Sequence, residues 1–178
     1  GTALGVIRTA HENGKDVFAL LDETRPRLQG GRLSAYELKE QGIPFRVIVD
    51  GASGHFMRTL GVDLCVVGAD RVAANGDTAN KIGSLGVALA CHEAGIPFVV
   101  AAPSSTVDLS YPNGDDIEIE LRPPAEVTEY GGHQVAAELD RAFNPAFDVT
   151  PARFVSAVVT ELGVAEPSRG ESVEGLVP

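Results

Sequence analysis

The chain has 178 residues, 44% of them hydrophobic, and a formal net charge of -11. That length fits one ordinary domain with a sizeable core. The acidic balance argues against a nucleic-acid or membrane-surface binder, whose affinity rests on basic patches. No apolar run approaches the roughly 20 residues that cross a bilayer.

No charged-then-apolar leader opens the chain. Thr2 to Asn13 instead has helical spacing, with Leu4, Ile7 and Ala10 on one face and Gly14 as the stop. No strand stands before it to complete a first β-α unit. Val17 to Leu21 reads as a strand, followed by the polar loop Asp22 to Gly31 (DETRPRLQGG). Leu33 to Gln41 reads as a helix ended by Gly42, Phe45 to Val49 as a strand, and Asp50 to Leu60 as a weaker helix with Asp50 as N-cap. The run Leu64-Cys65-Val66-Val67 is short and rich in β-branched residues, hence a buried strand. After it come a polar loop from Gly68 to Asn80, a helix from Ile82 to Glu93 and a strand from Phe98 to Ala102. Alternation of this kind predicts parallel βαβ units in a Rossmann-like, doubly wound, mostly parallel sheet that lacks its first strand.

The remainder is less regular. Ile117 to Leu121 alternates apolar and acidic residues, as a half-exposed strand does. Thr150-Pro151 pairs an N-cap with proline at the first helical position, which predicts a helix from Pro151 to Leu162. Residues 1–164 read as one α/β domain, and 165–178, with little to bury, as a disordered tail.

The strand-to-helix loops share the sheet edge where open α/β sheets bind ligands. Asp70, just past the carboxyl end of the Leu64 strand, is the first candidate. Partial burial there raises a carboxyl pKa and suits a proton donor or shuttle; an ion pair with Arg71 or Arg25, or a loop cap, is the plainer alternative. Asn80 and Lys81 read as opening a helix, where backbone N–H groups and an ammonium suit a phosphate or hydroxyl, with ordinary capping as the alternative. Gln29 lies on the loop at the same edge. Glu23 and Arg25 read as a local pair. Asp77 reads as bonding its own turn, with a two-carboxylate arrangement beside Asp70 left open. An anionic small ligand is compatible with the acidic chain, because a local site can still be positive. His11, His55, His92 and His133 are scattered without metal-ligand spacing. Cys65 and Cys91 lie in apolar context, with neither metal nor disulfide spacing, which makes a cytoplasmic location the expectation.

Several stretches are more specific than any of this: GTALGVIR, DETRPRLQG, VGADRVAANGDTANKIG, GIPFVVAAPSSTVD and FNPAFDVTPA. In that order they resemble the C-terminal domain of the S-methyl-5-thioribose-1-phosphate isomerases. That family is grouped with ribose-1,5-bisphosphate isomerase and the regulatory subunits of translation initiation factor 2B. The resemblance runs from Gly1 to about Gly163. It implies an aldose–ketose isomerase of methionine salvage, acting on a phosphorylated pentose, usually dimeric, with no metal or nicotinamide cofactor. Asp70 matches the family's acid, and Gln29, Asn80 and Lys81 match substrate-binding positions. The family's catalytic cysteine lies on the strand before the opening helix, upstream of Gly1, and the N-terminal helical domain that supplies phosphate-binding arginines is absent too. The resemblance therefore leads to the expectation that these 178 residues alone turn over little substrate. A non-catalytic module of the initiation-factor type is the alternative, and a bisphosphate isomerase is another.

Overall fold

The computed structural model describes residues 1–178 as a mixed α/β fold with parallel strands and a second, mostly antiparallel sheet. Helix α1 (Thr2–Glu12) lays Leu4 and Ile7 on a small core of Ala19, Leu21, Leu38 and Ile43. Strand β1 (Ala19–Asp22) buries alternate residues, as a sheet covered on one face must. Helix α2 (Ala35–Glu40) returns the chain to β2 (Phe45–Ile48), which runs parallel to β1. Helix α3 (Ser53–Thr59) leads to β3 (Cys65–Val67). A tight hairpin follows, β4 (Arg71–Ala73) and β5 (Thr78–Lys81), then α4 (Ser84–Ala94), β6 (Phe98–Ala101) and the two-residue β7 (Val107–Asp108). A four-residue helix α5 (Ala125–Thr128) and the hairpin β8 (Glu129–Tyr130) and β9 (His133–Gln134) precede β10 (Phe147–Thr150), β11 (Ala157–Thr160) and β12 (Gly163–Ala165).

The main sheet has the order β12-β11-β6-β3, with β3, β6 and β11 parallel and β12 antiparallel at the edge. Phe98 and Val100 on β6, Val158 on β11 and Val155 just before β11 are sealed from solvent, each contributing about 1.5–3 kcal/mol by burial. The second sheet has the order β10-β5-β4-β7. Strand β1 bonds only β2, and β3 bonds only β6. The parallel strands therefore form two sheets where one continuous sheet was expected. Between the facing β1 and β3 edges lies a cleft of about 890 Å³, lined mainly by apolar residues of α1, β1 and β3 and ending in a polar rim.

Four expectations change. Pro151 to Leu162 is no helix: Pro151 is extended, Ala152–Phe154 form one 3-10 turn, and Ala157–Thr160 is a strand. The β-branched run is buried between β6 and β12, and that burial outweighs the local capping signal. The segment Gly68 to Asn80 contains β4 and most of β5 where an open loop was expected. Ile117 to Leu121 forms no strand, only a single bridge between Leu121 and Pro145. Residues 165–178 are packed, with Ala165, Val173 and Leu176 inside the main core.

Two carboxylates tie distant segments together. Asp148 on β10 accepts from Gly83 N at 2.7 Å and Leu85 N at 3.1 Å, so the cap of α4 comes from 63 residues downstream of Leu85. Gly83 itself turns the chain at φ 104°, where glycine carries no Cβ penalty. Asp77 accepts from Asn75 Nδ2 at 2.9 Å, Gly114 N at 3.0 Å and Ala152 N at 2.7 Å. Its carboxylate thus reaches two remote segments, and its own backbone N–H bonds Asn75 instead. Burial pushes this carboxyl up, but the donors from Asn75, Gly114 and Ala152 outweigh it and leave the pKa below 3.8. Because the folded pKa is the lower, the contribution is complete above the unfolded value and fades as pH falls through the folded one. Asp77→Ala strands two backbone N–H groups and should cost about 2–3 kcal/mol at neutral pH. In urea melts, the gap between variant and parent should narrow as the pH is taken below 3.8.

Candidate functional site

The polar rim of the cleft forms where β1 and β3 end, the usual ligand position in an open α/β sheet. On the β1 side the loop from Asp22 to Gly31 is held rigid. Asp50, expected to cap a helix, instead accepts from Thr24 N at 2.7 Å and Arg25 N at 2.6 Å. Thr24 and Leu28 are held at φ 65° and 61°, uncommon for residues with side chains. Gly30 packs directly on the Asp22 carbonyl. Arg25 makes no ion pair with Glu23; its Nη2 donates to Val127 O at 3.0 Å, and its guanidinium lies 5.8 Å from the Tyr130 ring centroid. This loop carries Gln29, whose Oε1 is buried and has no hydrogen-bond partner.

Gln29 is not part of the cleft lining; Asn80 and Lys81 lie on β5, not at a helix start. Asn80 Nδ2 donates to Ser84 Oγ at 2.8 Å, and Ser84 Oγ donates to Lys81 O at 2.7 Å. Both Asn80 and Lys81 line the cleft. The Lys81 ammonium is also buried without a partner. Burial, and then the neighbouring Arg122 guanidinium, hold its pKa below the usual lysine value.

Asp70 lies three residues past the end of β3 and outside the cleft lining, anchored by its backbone N–H to Ala79 O at 2.9 Å. Desolvation raises its carboxyl pKa, opposed by the positive charges of Arg122 and Lys81. Neither alternative ion pair forms: Arg71 is taken by Asp108 at 2.6 Å, and Arg25 by Val127. Asp70 and Lys81 therefore feel each other's charge, although no hydrogen bond joins Asp70 to Gln29, Asn80 or Lys81. Asp77 lies at the opposite end of the β4–β5 hairpin and makes no carboxylate pair with Asp70.

Asp22 and the Arg122–Glu126 stretch add titratable groups that are not among the sequence candidates. Asp22 ends β1, lines the cleft and accepts from Ser53 Oγ at 2.6 Å; burial raises its pKa. The strand-end logic applied to Asp70 would have found it. Arg122 and Glu126 come from the irregular stretch before β10, and no local pattern points to them. Neither cysteine sits as a ready nucleophile: contact with Cys91, then burial, pushes the Cys65 thiol up, and Cys91 is fully enclosed.

The model of the initiation factor 2 subunit family matches residues 1–167. The chain belongs to that family. Within the initiation factor 2 subunit family it is 55% identical over 174 residues to methylthioribose-1-phosphate isomerase of Synechococcus sp., covering 98% of this chain and 50% of that protein. Among solved structures it resembles 5-methylthioribose 1-phosphate isomerase from Pyrococcus horikoshii OT3, with a TM-score of 0.90 and 45% identity over 94% of this chain and 47% of the other. It also resembles translation initiation factor eIF-2B, subunit delta, from A. fulgidus, with a TM-score of 0.91 and 42% identity over 99% of this chain and 52% of the other. The chain spans about half the length of the curated relatives it matches.

Proposed function

We propose that this chain is the sugar-phosphate-binding half of an aldose–ketose isomerase that converts 5-methylthioribose 1-phosphate to 5-methylthioribulose 1-phosphate in methionine salvage. One observation carries the reading. Lys81 Nζ, in the lining of the cleft, is buried with nothing to bond, as is Gln29 Oε1 on the adjoining loop, and such groups cost stability unless a ligand satisfies them. A phosphate accepts from the ammonium, while a sugar hydroxyl donates to the amide oxygen. Asn80, held by Ser84, orients a second hydroxyl. Asp70, with its raised pKa, keeps a proton nearer to neutrality and exchanges it with the sugar's first two carbons and their oxygens.

The gap between β1 and β3 supports the same reading. One more parallel strand there would join the two sheets into a Rossmann-like, doubly wound whole. It would also bring a further group, the family's cysteine by resemblance, next to the rim. Without that group the 178 residues bind substrate but turn over little of it. We extend the reading to a cytoplasmic homodimer that acts on a small molecule and not on nucleic acid.

Calorimetric titration of 5-methylthioribose 1-phosphate into the 178-residue chain tests the proposal. Binding should occur and should weaken about 10- to 100-fold in Lys81→Met, the scale of one charge-assisted hydrogen bond. Absence of binding, or equal affinity in the variant, refutes it. A regulatory module without chemistry is the second reading, favoured by the likeness to the A. fulgidus subunit. It predicts capture of initiation-factor partners and no affinity for the sugar.

A further inference from the structure

Lys81 stands opposite Phe147 in the antiparallel β5–β10 ladder, and the Arg122 guanidinium lies 5.9 Å from the centroid of that Phe147 ring. The Arg122 side chain is only 16% exposed; Nε and Nη2 engage Glu120 at 3.2 Å each. Its backbone N–H bonds Asn144 O at 2.9 Å, which brings the Asn144 side chain alongside. Asn144 Nδ2 in turn donates to Glu126 Oε2 at 3.2 Å. The other oxygen, Glu126 Oε1, accepts from Arg27 Nε at 3.1 Å and also from Arg27 Nη2. Lys81 feels the charges of Arg122, Arg27, Glu126 and Asp70, and of the two carboxylates Glu126 is the one bonded to Arg27.

A carboxylate and a phosphate present the same face to a guanidinium: paired, acceptor-only oxygens that take two parallel N–H groups. Arg27 is 54% exposed, so its long side chain can turn from one acceptor to the other at small cost. Building on the reading that Lys81 receives an anion, we propose that Glu126 is an internal stand-in for the ligand's phosphate. It holds Arg27 at the rim until a phosphate arrives, and Arg27 then moves to that phosphate beside Lys81. Helix α5 does not depend on this pair for its place, because Arg25 Nη2 bonds Val127 O and Thr128 Oγ1 bonds Leu139 O. Glu126→Gln also keeps an oxygen for Asn144, so the segment should stay folded.

The test is titration of inorganic phosphate into the 178-residue chain, its Glu126→Gln and Arg27→Met variants, and Lys81→Met, each checked by thermal melting. Removing the competing charge should tighten phosphate binding about fivefold in Glu126→Gln, the scale of one exposed ion pair, and Arg27→Met should weaken it by a similar factor. If Glu126 is only a structural tie, Glu126→Gln binds phosphate equally or less well, and the proposal fails. Unchanged affinity in Arg27→Met also overturns it. Should Lys81→Met lose binding while the other two match the parent, this proposal falls and the reading of Lys81 stands. Absence of phosphate binding by the parent chain overturns both.

Discussion

Asp70→Asn should abolish most of the isomerase turnover of a polypeptide in which these 178 residues are joined to the remaining half found in the longer relatives. A positioned acid or base contributes about 10²- to 10⁴-fold to a proton-transfer step, and an amide at this position can neither release nor accept the proton. Binding of the sugar phosphate should change far less, because Lys81 and Gln29 are untouched. The measurement is kcat and KM for 5-methylthioribose 1-phosphate: a large fall in kcat with KM nearly constant is expected. Because burial raises the Asp70 pKa, the limb of the pH–rate profile that reports it should lie above pH 3.8, the usual aspartate value. Arg122 and Lys81 oppose that rise, so removing either charge should move the limb further up. Full turnover in the Asn variant would leave the carboxyl without a role in the chemistry.

The second large effect is on folding. In Gly30→Ala a new Cβ would stand 1.8 Å from the Asp22 carbonyl oxygen, 2.8 Å from Thr24 Oγ1 and 3.0 Å from the Asp22 carbonyl carbon. Two of those three atoms are backbone, so no rotamer change relieves the clash. Either β1 or the Gln29 loop must shift. The expected cost is about 3 kcal/mol or more, at the upper end for overpacked sites. For a chain of this size that lowers Tm by roughly 6–12 °C. Gly31→Ala is the control: its Cβ would meet nothing nearer than 3.9 Å, and its Tm should stay close to the parent's. Equal stability of the two variants would show that the close packing of Gly30 on β1 is not needed.

Candidate positions were legible in the residues to the extent that they obeyed local rules. Asp70 was found because a carboxylate follows a short β-branched strand, and it does follow β3. Lys81 and Asn80 were found for the wrong local reason. Their value is not a helix start but the β5 strand, which turns one ammonium into a buried, unpartnered group. Arg122, Arg27 and Glu126 could not be read at all, since they meet across 99 residues between Arg27 and Glu126 and through Asn144.

The same division holds for the fold. By itself the sequence determined α1, β1, β2, β3, α4 and β6, because 3.6-residue and short apolar periodicities decide local conformation wherever one face is buried and no rival partner intervenes. Only the tertiary structure decided that 151–160 is extended and that 165–178 is packed. It alone decided that β4 and β5 form a hairpin, and that the cap of α4 is an aspartate from β10. The physical reason is common to all of these. A β-branched run or a lone carboxylate has several local states of similar energy, and burial between strands or against orphan N–H groups far along the chain selects one of them.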